Sequence, residues 1–416
     1  MNKITINDLP SLRKISNIIY NADGIIKLEN GNTYQLSDYI TKDVKLMMPN
    51  YHNSILSVNA SLLKYYKKDY DYNTFFELDK LLETNKYKHI AIMLLDGMGS
   101  HLIDGNLASD SFIKTHKICD LSAVYPPTTA CAIPALCSAK EPLETGWVGW
   151  SNYFSEVDKF VVMFRNQEYF TGEMLDINIE KDILPYKKFY QDFDTHVFEL
   201  GPSFTPSNCQ TFEEMCSRYI DKTKNLSSSF CYMYWSEPDT TMHINGAYSK
   251  EANKEFNSID KTLRKMSQDI SSDTLVIVTA DHGHIDVKPI YLANFTDLLA
   301  LIKRVPSNEG RCAFFTVKKF KKRKFEKLFN LYFADYFTLF SKEDFINEGY
   351  LGNNIGNKNK KIDSFIGDFV AVAKKNYYFN FNLSYYNEKD DEMIFNSHHA
   401  GITSDEMMIP FIVIKK

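Results

Sequence analysis

Three apolar runs, His89–Leu95, Phe230–Trp235 and Thr274–Ala280, are dense in Ile, Val, Leu or aromatic residues without alternation, and each stops at or just before an aspartate. Strands that are apolar on both faces must be covered on both, which is the condition of a parallel sheet sandwiched between helices. The runs lead into Asp96-Gly97-Met98-Gly99, Glu237-Pro238-Asp239 and Asp281-His282-Gly283-His284. In open α/β sheets ligands bind beyond the carboxyl ends of the strands, so three acidic strand ends point to one place. Between the second and third runs, Phe256, Ile259, Leu263, Met266 and Ile270 recur at spacings of three and four, the stripe of a helix packed on a sheet. Strand, helix, strand is the unit of a doubly wound α/β fold. Met408–Ile414 predicts one more strand.

The stretch 299–395 differs in kind, with a Lys-rich segment (Lys318, Lys319, Lys321, Lys322, Arg323, Lys324), a helical aromatic stretch over Phe325–Phe337 and a polar loop at 349–363. It reads as a cap or insertion within a single catalytic domain spanning 1–416, its basic run a solvated helix face. Residues 1–85 carry no nameable chemistry. A net charge of −5 excludes duplex nucleic-acid binding by bulk charge. No apolar stretch approaches the roughly 18–20 residues of a membrane span, and the N-terminus lacks the apolar region of a signal peptide. The seven cysteines are odd in number and none has CxxC spacing, so they read as small buried hydrophobes in a reducing, cytoplasmic compartment.

The ten histidines are used unevenly. His243, His282, His284, His398 and His399 lie near carboxylates or at a strand end, whereas His52, His89, His101, His116 and His196 have no such setting. Asp239 and His243 are four apart, which on one helical turn lets both grip one ion. Asp281 and His282 can converge on an ion from the turn past their strand. Tyr125-Pro126-Pro127-Thr128-Thr129 offers a hydroxyl at a helix start, where a threonine is ordinarily an N-cap but where free N–H groups also welcome a phosphate. A dication can turn such a hydroxyl into a nucleophile. Gly97-Met98-Gly99 lacks the third glycine of a dinucleotide loop, since residue 102 is Leu, and no G-x-S-x-G elbow is present.

Taken in order, Asp96-Gly-Met-Gly, Pro126-Pro-Thr-Thr129, Pro238-Asp239-x3-His243-x2-Gly246, Asp281-His282-Gly283 and His399-Ala-Gly401 resemble the type I phosphodiesterase/nucleotide pyrophosphatase family of the alkaline phosphatase superfamily. Gly146-Trp147-Val148-Gly149-Trp150 and Asp405-Glu406-Met407-Met408-Ile409-Pro410 look like its framework segments. The resemblance implies an alkaline-phosphatase-like three-layer α/β/α core with a mostly parallel sheet and an inserted cap. It also implies a hydrolase of small phosphodiesters that carries two divalent metal ions, with Zn²⁺ the better match to carboxylates and imidazoles and Mn²⁺ the alternative. Asp239, His243 and His399 would hold one ion. Asp96, Asp281 and His282 would hold the other, bridged by Thr129 as the nucleophile. His399 is chosen over His398 because it is followed by a small residue and Gly, and Thr129 over Thr128 by its place in the block.

The chain departs from the pattern at Trp150, where secreted nucleotide pyrophosphatases carry an Asn that bonds a phosphate oxygen. Cys131 lacks the Cys-x-Pro-x-Arg setting of a sulfatase. A phosphomonoesterase or phosphomutase of the same superfamily, and a non-catalytic metal-bound relative, are the rival readings.

Overall fold

The computed structural model of the chain describes residues 45–352, 356–381 and 394–416, together with four short strands within 1–44 (Asn2–Ile4, Ile19–Tyr20, Ile25–Lys27 and Thr33–Leu36) that form a sheet of their own. The central sheet has six strands: β1 (His89–Leu95), β2 (Lys117–Ser122), β3 (His196–Leu200), β4 (Ser229–Trp235), β5 (Thr274–Thr279) and β6 (Met408–Lys415). Their spatial order is β3-β4-β1-β5-β6-β2. Strands β3, β4, β1 and β5 are parallel neighbours, while β6 runs antiparallel to both β5 and β2. The three apolar runs are therefore the middle of a mostly parallel sheet, and every residue of β1 and β5 is buried. Pro410 lies opposite Asp120 of β2, whereas pairing of β6 with β5 begins only at Ile412, so its missing N–H costs the β5 ladder nothing.

Two groups of helices cover the sheet, giving the three-layer α/β/α core. Helices α2 (Phe76–Thr84) and α5 (Thr129–Ser138) pack on α1 (Ile55–Tyr65), whereas α3 (Ser100–Asn106), α4 (Phe112–His116), α6 (Phe212–Lys224) and α7 (Asp239–Asn245) all pack on α8 (Lys250–Asp269). Helix α8 buries the expected stripe of Phe256, Ile259, Leu263 and Met266. It also buries Asp260, whose Oδ1 accepts the Ile113 N–H at the start of α4. Ser249 caps its N-terminus.

A second, antiparallel sheet of seven strands stands beside the core. Four strands (Ser307–Glu309, Cys312–Phe315, Phe337–Ser341, Phe369–Ala373) come from the stretch expected to be inserted, and three (Ser151–Phe154, Lys159–Val162, Gln167–Glu168) come from the segment after the Gly146–Trp150 block. A separate apolar core, rich in Phe315, Phe325, Phe329, Phe333 and Phe379, fastens the helix Lys322–Phe333 to this region. The lysines of that helix lie on its outer side, as a solvated face requires, and Phe320 just before it is 90% exposed.

Candidate metal centre and active site

Strands β4, β1 and β5 end level with one another: Trp235 is paired with Leu95, and Thr279 with Leu94. The turns beyond them are stitched by bonds from backbone N–H groups. Asp96 N donates to Trp235 O at 2.9 Å, Asp239 N to Asp96 O at 3.1 Å and Gly97 N to Asp281 Oδ1 at 3.0 Å. Gly97 has φ +71°, and a Cβ there would stand 3.0 Å from both Asp239 Cβ and His284 Cδ2. At Gly283 a Cβ would stand 2.0 Å from the Asp405 carbonyl oxygen. The glycines of these two blocks are thus what lets three acidic turns close on one point.

The structure brings all seven expected residues together. Asp239 Oδ1 lies 3.4 Å from His243 Nε2 and 3.7 Å from His399 Nε2. His282 Nε2 lies 3.4 Å from Asp96 Oδ1 and 3.3 Å from Asp281 Oδ2. Asp239, His243, His284 and His399 place one donor atom each within 4.8 Å of the others, and so do Asp96, Asp239 and His282. Thr129 is the first residue of α5, and its Oγ1 does not cap the helix. It lies 3.2 and 3.3 Å from the two Asp96 oxygens and 3.3 Å from His282 Nε2. His398 is buried against Tyr378 and Phe395 and stands outside both groups.

The protonation pattern is that of a cation site. Nδ1 of His243, His282 and His399 lies 2.8, 3.0 and 3.1 Å from the carbonyl oxygens of Ser397, Gly283 and Pro127. A carbonyl only accepts, so each Nδ1 carries a hydrogen and each ring turns its Nε2, the nitrogen that can bind an ion, inward. Burial and the neighbouring His282 hold His399 well below the ordinary histidine range. Burial also opposes charge on His282, but Asp281 and Asp96 outweigh it and push that group up to about 10. Burial, with Asp281 and Asp239 close by, raises Asp96 well above the usual carboxylate range, and the Tyr234 hydroxyl donates to it. Buried carboxylates this close repel one another unless a cation lies among them. Asp281 Oδ2 is buried with no hydrogen-bond partner, and the set of carboxylate oxygens and imidazole nitrogens is the donor chemistry of a divalent metal. The residues fit such an ion.

Two residues of the site were not assigned from sequence. His284 reaches Asp239 Oδ1 at 2.6 Å. The signal was its place two residues after His282, since alternate residues of an extended segment share a side. Glu309, from the second sheet, left no signal at all. Its Oε1 accepts from Thr128 Oγ1 at 2.8 Å and from Trp150 N at 2.7 Å, so it clamps the turn before the helix to the Trp150 segment. Burial pushes this carboxyl up to about 7, although Thr128 and Trp150 stabilise its charge.

Because the folded value lies above the ordinary 4.5, the metal-free protein holds the extra proton between these pH values. Its stability should therefore fall as pH rises from about 4.5 to about 7, by at most ~3 kcal/mol. Chemical denaturation of the metal-free protein at pH 5 and pH 8 measures this, and Glu309→Gln should flatten the slope.

Burial takes two large side chains, Trp147 and Arg311, out of reach of a substrate. Trp147 is in the core, its Nε1 donating to Leu184 O at 3.0 Å. Arg311 is fully buried and bonds Glu406 through Nε (2.6 Å) and Nη2 (2.7 Å), with Nη1 on the carbonyls of Lys375 and Tyr377. It is not free to reach a phosphate. Trp150 is half-buried, with the Arg165 guanidinium 5.5 Å from its ring centre.

The model of the type I phosphodiesterase/nucleotide pyrophosphatase family matches residues 90–400, a span that contains every one of these site residues. The chain belongs to this family. Known folds agree with a phosphodiesterase-family core. Human ectonucleotide pyrophosphatase/phosphodiesterase 5 is 17% identical, with 78% of this chain and 87% of that chain covered and a TM-score of 0.56. An inactive variant of the murine protein, in complex with AMP, is 15% identical over 77% of this chain and 87% of its own, at a TM-score of 0.55. Phosphonoacetate hydrolase from Sinorhizobium meliloti 1021, in complex with phosphonoacetate, is 14% identical over 80% and 90%, at 0.59. Among curated proteins, none matches the chain by sequence. No helix among the described residues of this family member is long and apolar enough to cross a membrane, and its seven cysteines are unpaired.

Proposed function

We propose that the protein is a metal-dependent phosphodiesterase that hydrolyses small phosphate esters with Thr129 as nucleophile. The observation that carries this reading is the Thr129 hydroxyl at the N-terminus of α5, within 3.3 Å of both Asp96 and His282. Asp239, His243 and His399 would hold one divalent ion, and Asp96, Asp281 and His282 the other, with Thr129 bridging to it. Bound ions of this kind lower the pKa of a coordinated hydroxyl and neutralise charge on the transferring phosphoryl group. The chain itself supplies the geometry. Asp96 accepts the Thr129 hydrogen bond and so turns the oxygen's remaining lone pairs outward, and the positive end of the α5 dipole favours an anion at the same place. Attack by Oγ1 at the phosphorus of a diester expels one alcohol and leaves a threonine-bound phosphoryl group that still carries the second substituent, and water then releases the phosphomonoester and restores the hydroxyl.

Charge favours diesters. Two dications against three carboxylates and an ionised threonine leave the site near neutral, which suits a monoanionic diester better than a dianionic monoester. With Arg311 locked away, no Lys or Arg among the described residues bonds Thr129. AMP in the structural relative supports a nucleotide-like ligand class. Unpaired cysteines suit a cytoplasmic setting.

Elemental analysis of active protein should find two divalent ions per chain, Zn²⁺ before Mn²⁺, and chelation should abolish turnover. One ion or none would overturn the two-metal reading. The kcat/KM ratio for a diester and a monoester with the same leaving group tests the substrate class. A tenfold preference for the monoester, about 1.4 kcal/mol, would refute the charge argument and direct attention to Arg165.

A further inference from the structure

His284 stands outside the ligand set that the family resemblance implies, yet it is fully buried in the middle of the centre. Its Nε2 lies 2.6 Å from Asp239 Oδ1 and its Nδ1 lies 2.8 Å from Ser397 Oγ. The same Ser397 accepts the Nδ1–H of His243 through its carbonyl oxygen at 2.8 Å. Ser397 is itself fixed by a short antiparallel ladder to the residues just after His284, with Asp286 opposite Ser397 and Ile285 opposite His398.

Distance separates two roles for this ring. Donors around one tetrahedral ion with bonds of ~2.0–2.1 Å stand about 3.3 Å apart. His243, at 3.4 Å, and His399, at 3.7 Å from Asp239 Oδ1, have that spacing. At 2.6 Å His284 is instead a short hydrogen bond, too close to share an ion with the same oxygen. A hydrogen on Nε2 makes this bond and leaves Nδ1 as an acceptor, which the Ser397 hydroxyl can satisfy.

We propose that His284 is a positioning residue that ties Asp239 to Ser397 and holds the carboxylate in its metal-binding orientation. Because Ser397 also orients His243, Asp239 and His243 are set by a single residue from the C-terminal segment that carries His399. The ring packs against the Asp96 turn as well, since a Cβ on Gly97 would stand 3.0 Å from His284 Cδ2. The inference rests on the two-metal reading above and deepens it.

The test compares wild type with His284→Phe, His284→Gln and Ser397→Ala, each loaded with Zn²⁺. X-ray absorption counts imidazoles per ion, and a competing chelator measures affinity. We expect the Phe variant to keep two ions and the wild-type number of imidazoles while losing 10–100-fold in affinity for one ion. Gln, which retains an N–H donor, should recover most of that loss, and Ser397→Ala should show a smaller loss in the same site. Loss of one imidazole in the Phe variant would make His284 a ligand and overturn the proposal, as would unchanged affinity in both His284→Phe and Ser397→Ala. If His284→Phe does not fold, Ser397→Ala and His284→Gln carry the same affinity test. Failure of the wild type to take up two ions would defeat the metal reading itself, and is seen before any substitution is made.

Discussion

Thr129→Ala should lower turnover at least ~10³-fold while the protein still takes up two metal ions per chain. The hydroxyl is the atom that would form the bond to phosphorus, and groups of this kind cost factors of up to ~10⁶ when deleted. As a ligand it would be one of several around its ion, since Asp96, Asp281 and His282 would remain, so metal content should barely change. The neighbouring threonine is an internal control. Thr128 is buried and its Oγ1 donates to Glu309, away from the metal-binding groups. Thr128→Ala should cost about 1–3 kcal/mol of stability through the bond that Glu309 loses, with a far smaller effect on turnover. Steady-state rates on a chromogenic diester, with metal content measured on the same samples, decide the matter. If Thr128→Ala proves the more damaging to kcat, the nucleophile has been misassigned.

The asymmetry between these two threonines shows what a sequence can carry. The acidic strand ends were legible because each obeys a local rule: an all-apolar run marks a buried parallel strand, and the residues just past it share one edge of the sheet. Asp96, Asp239, Asp281 and His282 could therefore be gathered from three distant places. His399 rested on the resemblance alone, and the structure shows why no local rule selects it over His398: the choice depends on which of two adjacent rings turns toward Asp239 across a separate ladder. Glu309 was not legible because it belongs to a strand that reaches Thr128 across 181 residues of sequence. The same holds for the second sheet, which joins 151–168 to 307–373 through the single pair Asn308 with Ser151. Apolar patterning marks strands but does not say which distant strands meet.

The largest effect on stability should come from a residue that touches no metal-binding group. Glu406, fully buried in one of the framework segments, accepts both Arg311 bonds, the Gly401 N–H at 2.6 Å and the Thr403 hydroxyl at 2.7 Å. A Cβ on Gly401 would stand 2.5 Å from Arg311 Nη2, so the turn carrying His399-Ala400-Gly401 is moulded on this ion pair. Glu406→Ala would strand a guanidinium that is fully buried, and removal of one partner of such a pair costs about 3–5 kcal/mol. The lost bonds to Gly401 and Thr403 would free the His399 turn as well, so affinity for the Asp239 ion should fall with stability. Glu406→Gln keeps an acceptor and the volume, and should lie between the wild type and the alanine variant. The double change Arg311→Met with Glu406→Leu removes both charges together and should recover much of the stability, because desolvating the pair offsets most of its mutual attraction. Denaturant midpoints at unchanged m-value give these differences. A loss below about 1 kcal/mol for Glu406→Ala would mean that the turn is held by its apolar neighbours, and that the buried pair is not what positions His399.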